Sequence, residues 1–232
     1  MEIKKDKEII ERILTKGVEQ ILPTEDALRE LLESGKRIKI YQGFDPTADT
    51  LHIGHAAHLH KLEDFRKLGH EVIAVIGDFT ARIGDPDKKS TRKQLTKEEV
   101  QTNMQAFREQ IGRILDIDNR ENPVEFKYNS EWLEQLNFAD ILELSSKFSV
   151  QQMLKRDMFQ KRMEEDRPIY IHEFMYPIMQ AYDCVVLDVD IELGGNDQLF
   201  NMLAGRHLMN TMKVKEKIVM TGKLLTTNDG AK

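Results

Sequence analysis

The chain has 232 residues, of which 40% are hydrophobic and 32% charged, and a formal net charge of −6. That balance suits one large globular domain, or one domain with a small insertion, and excludes a disordered tail or a chain that binds nucleic acid indiscriminately over its whole surface. No apolar run approaches a membrane span, the first residues are too charged for a secretory signal, and the lone Cys184 cannot form an internal disulfide, so a reducing cytoplasm is the expected setting.

Ile10, Ile13, Leu14, Val18 and Ile21 recur at helical spacing, which predicts one amphipathic helix reaching to Pro23. Thr24, followed by Glu25 and Asp26, opens a second short helix that Gly35 closes. A strand is expected from Arg37 to Gln42, a loop from Gly43 to Thr50, a helix from His52 to Leu68 ended by Gly69, and a buried strand from Glu71 to Gly77. Strand, helix and strand in that order make a βαβ unit, which demands parallel strands and a right-handed crossover. Thr96 and Glu99 have the spacing of a capping box, and Val100, Met104, Phe107, Ile111 and Leu115 mark the buried face of the helix they open. A strand from Val124 to Tyr128 follows. Helical patterning dominates Ser130 to Tyr182, with a second capping box at Ser149 and Gln152. From Leu187 to Leu193 apolar residues alternate with Asp188, Asp190 and Glu192, the period of a half-buried strand. Gly194 to Gln198 turns the chain into another helix, and Lys217 to Thr221 is the last expected strand.

The predicted fold is therefore α/β, a Rossmann-like parallel sheet with helices on both faces and a helical insertion. Its expected parts are N-terminal helices over 1–35, a nucleotide-binding fold over 36–128 and 183–232, and a helical connecting region over 129–182. Open parallel sheets bind ligands beyond the carboxyl ends of their strands. Three polar, glycine-containing loops fall there: Tyr41 to His55, Gly77 to Arg92 and Gly194 to Gln198.

His52 and His55 stand three residues apart in the first turn of a helix, where free backbone N–H groups and the positive dipole end favour a phosphate. Gly54 between them lets a nucleotide ring or ribose approach the backbone. Metal binding is the rival reading, since His52, His55 and His58 fall at intervals of three with His60 nearby. Ligands drawn from a single helix, with Cys184 far away, make a poor set, and no metal site is expected. Tyr176, Gln180 and Asp183 stand at i, i+4 and i+7 on a helix whose Ile178, Met179 and Ala181 are apolar, and polar groups on so buried a helix need partners. Two basic clusters, one of Lys88, Lys89, Arg92 and Lys93 and one of Lys155, Arg156, Lys161, Arg162 and Arg167, read by themselves as solvated faces. Met153, Met158, Met163 and Met175 read as adaptable core packing, and Cys184 as a buried small side chain.

The run Gly43-Phe44-Asp45-Pro46-Thr47 with His52-Ile53-Gly54-His55 resembles the first signature of the class I aminoacyl-tRNA synthetases. Within that class the flanking motifs resemble the tyrosyl-tRNA synthetases: Gly77 to Pro86, the run from Tyr176 to Asp183, and Gly194 to Gln198, in the same order over most of the chain. The resemblance implies a class I catalytic domain over 1–232, with the anticodon-binding domain absent. It also implies an enzyme that activates L-tyrosine with ATP and transfers tyrosine to tRNA(Tyr), with Mg²⁺ carried on ATP and a homodimer formed through this domain. Tyr176, Gln180 and Asp85 would then hold the tyrosine ammonium, Asp183 and Tyr41 would bracket its phenolic hydroxyl, and Gln198 would meet its carboxyl region. Gly43, Asp45 and Gly54 would face ATP, with Gly195 and Asp197 at the ribose. His52, His55 and Thr47 would serve the phosphates, and Lys88 and Arg92 the leaving pyrophosphate. Gln42 stands where the family varies, and His58 is a bulky group to find beside the ribose. Thr227 to Lys232 resembles the lead-in to the second, lysine-rich class I signature, with Lys232 its first lysine and also an ATP ligand.

Two other readings stay open. One is a tyrosine- and nucleotide-binding module with little turnover; the other is a relative of the same fold acting on another aromatic amino acid such as tryptophan. An indole offers one donor and no phenol, so Tyr41 and Asp183 favour tyrosine.

Overall fold

The structure is a computed structural model that describes residues 2–51, 53–86 and 95–224. Asp6 caps helix α1 (Lys7–Thr15), its carboxylate accepting from Ile9 N at 3.1 Å. Gly17, at φ +69°, then turns the chain out of the helix into strand β1 (Val18–Leu22). The expected helix through Ile21 is thus corrected. A left-handed glycine breaks the helical repeat, and Val18 and Ile21 serve an edge strand, where β-branched side chains pack well. Thr24 caps α2 (Glu25–Glu33) as its position predicts, accepting from Ala27 N at 3.1 Å.

Strand β2 (Lys39–Phe44), helix α3 (Ile53–Lys67) and strand β3 (Glu71–Ile76) form the βαβ unit, with β2 and β3 parallel from Lys39 opposite Glu71 to Phe44 opposite Ile76. The short α4 (Thr80–Ile83) follows, then α5 (Lys97–Ile111), opened by the capping box of Thr96 and Glu99, and strand β4 (Glu125–Tyr128). Helices α6 (Ser130–Leu133), α7 (Phe138–Ser145), α8 (Val150–Met153) and α9 (Asp157–Glu164) and a 3-10 turn (Ile171–Phe174) lead to α10 (Met175–Leu187). Asp188, in the left-handed region at φ 51°, ends α10, so Leu187 belongs to the helix and not to the strand that the alternation suggests. Strand β5 (Ile191–Gly195), a second 3-10 turn (Asn196–Gln198), α11 (Leu199–Lys213) and β6 (Ile218–Gly222) complete the described chain.

The strands form one sheet in the order β1-β6-β5-β2-β3-β4, parallel throughout except for β1 against β6. From β2 the chain winds outward through β3 and β4, then returns to place β5 and β6 on the other side of β2. Connections therefore diverge between β2 and β5, the switch point where open α/β sheets bind ligands. Alternate residues feed two cores. Ile40, Phe44, Val72, Ala74 and Ile76 pack with α1, α2, α3 and α5, while Tyr41, Ile73 and Val75 pack with α10 and α11. With helices on both faces, β5 is buried and not half-exposed, and Glu192 points into the protein at 2% exposure.

Candidate active site

At the switch point the loops after β2, β3 and β5 surround a cleft of about 540 Å³. Helix α10 gives one wall, where Tyr176, Gln180 and Asp183 all line the space, as their shared stripe predicts. The sheet side carries Tyr41 on β2 directly opposite Glu192 on β5. Helix α3 begins at the cleft with Gly54 and His55, bringing there the N–H groups of a first turn, which have no partner within the helix. The His55 ring packs against Phe44, with centroids 5.9 Å apart.

Four acidic side chains organise the polar groups. Asp45 accepts from the Thr80 hydroxyl at 2.7 Å and the Tyr176 hydroxyl at 2.6 Å, joining the loop after β2 to the loop after β3 and to α10. Asp183 accepts from Trp132 Nε1 at 2.7 Å and Asn129 Nδ2 at 3.5 Å. Burial pushes its carboxyl well above the usual carboxylate range, against the downward pull of those two donors. Asp85 accepts from Gln198 Nε2 at 2.9 Å, Asn201 Nδ2 at 3.4 Å and Arg156 at 3.3 Å. Glu192 accepts from Tyr41 at 2.7 Å and Gln180 at 2.9 Å, and it forms a buried ion pair with Lys217.

Burial raises the phenols of Tyr41 and Tyr176 well above their ordinary range, and the carboxylates beside them add to the effect, so both remain hydroxyl donors at neutral pH. Burial works against the charge of Lys217, yet its pKa is raised, held up by the Glu192 carboxylate and by its hydrogen bonds to Glu192 and Cys184. The Cys184 thiol is pushed up to about 12, chiefly by burial, and stays neutral.

The sequence model described as tRNA synthetases class I (W and Y) matches residues 33–232. The chain belongs to that family. It is 48% identical over 223 residues to the tyrosine–tRNA ligase of Moorella thermoacetica, covering 94% of this chain and 53% of that protein. To the tyrosine–tRNA ligase of Carboxydothermus hydrogenoformans it is 48% identical over 235 residues, covering 99% and 55%. The chain thus spans about half the length of these curated relatives. Among solved structures, a C-terminally truncated mitochondrial tyrosyl-tRNA synthetase of Aspergillus nidulans superposes with a TM-score of 0.83 at 25% identity, over 98% of this chain and 72% of that one. The corresponding protein of Coccidioides posadasii gives 0.81 at 25% identity, over 98% and 70%.

In this class I synthetase domain the cleft gathers the residues proposed from sequence for the amino acid, namely Tyr41, Asp85, Tyr176, Gln180, Asp183 and Gln198. Gly43, Asp45, Thr47, Gly54, His55, Gly195 and Asp197, proposed for ATP, line it too. His52, Lys88, Arg92 and Lys232 lie outside the described residues. Gln42 Nε2 stands 3.2 Å from His58 Nδ1, so the two cleft residues without an assigned role meet each other.

Sequence reasoning missed several supporting groups. Thr80 falls inside a motif but looks like an ordinary loop hydroxyl, and Asn129 and Trp132 open a helical region with no visible tie to the site. Arg156 corrects the solvated-face reading of its cluster. It is 4% exposed, lies 5.0 Å from the Phe200 ring and 5.8 Å from the Phe159 ring, and pairs with Asp85, because aromatic faces and a carboxylate replace its water. Glu192 and Lys217 gave no signal, since an acid in an alternating strand and a lysine at a strand's start both look solvated.

Proposed function

We propose that this domain activates L-tyrosine with ATP to give tyrosyl-adenylate and pyrophosphate, and that the whole protein transfers the tyrosyl group to tRNA(Tyr). The observation that carries the reading is that one cleft holds two buried polar side chains, Asp183 and Tyr41, together with a helix start bearing His55. A carboxyl and a hydroxyl suit a phenol better than an indole. Two further acids, Asp45 and Asp85, border the same cleft and suit a substrate ammonium beside Tyr176.

In the proposed reaction a tyrosine carboxylate oxygen forms a bond to the α-phosphorus as the bond to the bridging oxygen of the leaving pyrophosphate breaks. No side chain becomes covalently attached, so rate comes from orientation and from donors placed where charge develops. His55 and Thr47, with His52, would serve the phosphates, and Lys88 and Arg92 the pyrophosphate. Asp197 would accept from the ribose hydroxyls. Mg²⁺ would arrive on ATP.

A cytoplasmic homodimer belongs to the same proposal. On the outer side of α10 an apolar recess of about 220 Å³ is lined by Ile141, Leu144, Met175 and Met179. The α7 helix and the 3-10 turn that border it carry the exposed Phe138, Leu142 and Ile171, a surface suited to a second copy.

The test is calorimetry with tyrosine, tryptophan and phenylalanine, beside tyrosine-dependent exchange of pyrophosphate into ATP. Tyrosine should bind far more tightly than the other two, and Asp183→Asn should narrow its lead over phenylalanine. Tryptophan binding as tightly as tyrosine would replace the substrate. Tyrosine binding without exchange, in this chain and in one extended to its relatives' length, would leave a binding module.

A further inference from the structure

We propose that Glu192, through its ion pair with Lys217, is a positioning residue that fixes hydrogen-bond direction at the hydroxyl end of the amino-acid pocket, so that the pocket selects a para substituent able to donate. The inference rests on the tyrosine reading above, and it concerns residues that neither motif nor spacing singles out.

Parallel register puts Glu192 beside Tyr41. Glu192 Oε1 accepts both from the Tyr41 hydroxyl at 2.7 Å and from Gln180 Nε2 at 2.9 Å. Its Oε2 takes Lys217 Nζ, which also donates to Cys184 Sγ at 3.2 Å and to the Met202 carbonyl at 3.0 Å. Glu192 and Lys217 are 2% and 0% exposed, so water cannot stand in for either partner. One carboxylate oxygen therefore orients two side chains that face the substrate.

A phenol has a single proton. With that of Tyr41 committed to Glu192, the Tyr41 oxygen can only accept from a group in the cleft. Tyrosine's hydroxyl can donate to it. A para fluorine cannot donate, and it would bring an acceptor against the Tyr41 lone pair.

Glu192→Gln reverses the direction with little change of shape. Lys217 has donors only, so it claims the new amide's oxygen and leaves the amide N–H groups facing Tyr41 and Gln180. Tyr41 then accepts from that amide and can turn its own proton into the cleft, because its other neighbour, Cys184 Sγ at 3.1 Å, is a weak acceptor to which Lys217 already donates.

The experiment is calorimetry on this chain with tyrosine, phenylalanine, 4-fluorophenylalanine and ATP. In the unmutated chain 4-fluorophenylalanine should bind no better than phenylalanine. In Glu192→Gln tyrosine affinity should fall about tenfold, the loss of a charged hydrogen-bond acceptor. ATP affinity should hold, and 4-fluorophenylalanine should gain several-fold on phenylalanine. Unchanged tyrosine affinity and an unchanged ratio of the two analogues would overturn the inference, as would equal losses for tyrosine and ATP, which mark a merely structural role. If burying an unpaired Lys217 unfolds that variant, Glu192→Leu with Lys217→Met removes both charges and leaves no acceptor at position 192, so the Tyr41 proton is again free to turn into the cleft. It should show the same loss for tyrosine and the same gain of 4-fluorophenylalanine on phenylalanine, and unmutated affinities in it would overturn the inference. Failure of the unmutated chain to bind tyrosine at all would sink the tyrosine reading first and this inference with it.

Discussion

The Tyr176 hydroxyl donates to Asp45 Oδ2 at 2.6 Å, tying α10 to the loop that follows β2. The contact joins the wall proposed for the amino acid to the loop proposed for ATP. Tyr176→Phe removes the donor and keeps the ring. Asp45 is only half-buried and retains Thr80, so water can replace the lost donor and stability should change little. The proposed ammonium site loses a polar partner. Tyrosine affinity should therefore fall by about 1 to 2 kcal/mol, the ordinary worth of such a bond, with a smaller loss for ATP. Calorimetry with each ligand checks this. A tyrosine affinity equal to that of the unmutated chain would move the ammonium site away from Tyr176.

Gly205 lies inside α11, where alanine would ordinarily favour the helix by about 1 kcal/mol. Here the sign should reverse. A Cβ at this position would stand 2.6 Å from Lys217 Nζ, 2.7 Å from Cys184 Sγ and 3.2 Å from Glu192 Oε2. All three side chains are buried, and the lysine cannot withdraw without abandoning its ion pair. Gly205→Ala should destabilise the fold by about 1 to 3 kcal/mol, as overpacking of a filled interior does. Urea denaturation would measure it, and a stability equal to or above that of the unmutated chain would mean that Lys217 has another place to go.

The same cluster explains where sequence reading succeeds and where it stops. Periodicity finds β2, α3 and β3 within two residues at each end, because each has a clear stop signal and a consistent face. It carries α1 too far, because apolar Val18 and Ile21 fit a helical repeat as well as they fit an edge strand, and only the conformation of Gly17 decides. Asp183 is legible because its stripe on α10 holds two more polar groups among apolar ones. Glu192 is not, because an acid alternating with Ile191 and Leu193 reads as solvent-facing until helices are known to cover both faces of the sheet. The Lys217 that neutralises it is 25 residues away, and no local pattern links the two.

His70, at the turn from α3 to β3, is fully buried and supplies a pH dependence independent of the active site. Its Nδ1 accepts from Ile38 N at 3.4 Å, so protonating that nitrogen would break the bond. Burial pushes its pKa down to about 4, with the Arg37 charge adding to the shift and Asp190 opposing it. The unfolded chain takes up its proton near the ordinary histidine value of about 6.5, so between these values the unfolded state binds more protons than the folded one. The stability tied to neutral His70 is therefore fully present above about pH 6.5 and is lost as pH falls toward 4, by about 3 kcal/mol in all. His70→Gln cannot titrate. Urea denaturation of both chains from pH 7.5 to 4.5 isolates the effect, because carboxylates common to the two cancel in the difference. Whatever advantage the unmutated chain holds at pH 7.5 should shrink steadily below pH 6.5, most of it within the next two pH units. Parallel curves across that range would mean that His70 keeps an ordinary pKa in the folded state, and that the space between α3 and β3 admits enough water to solvate its charge.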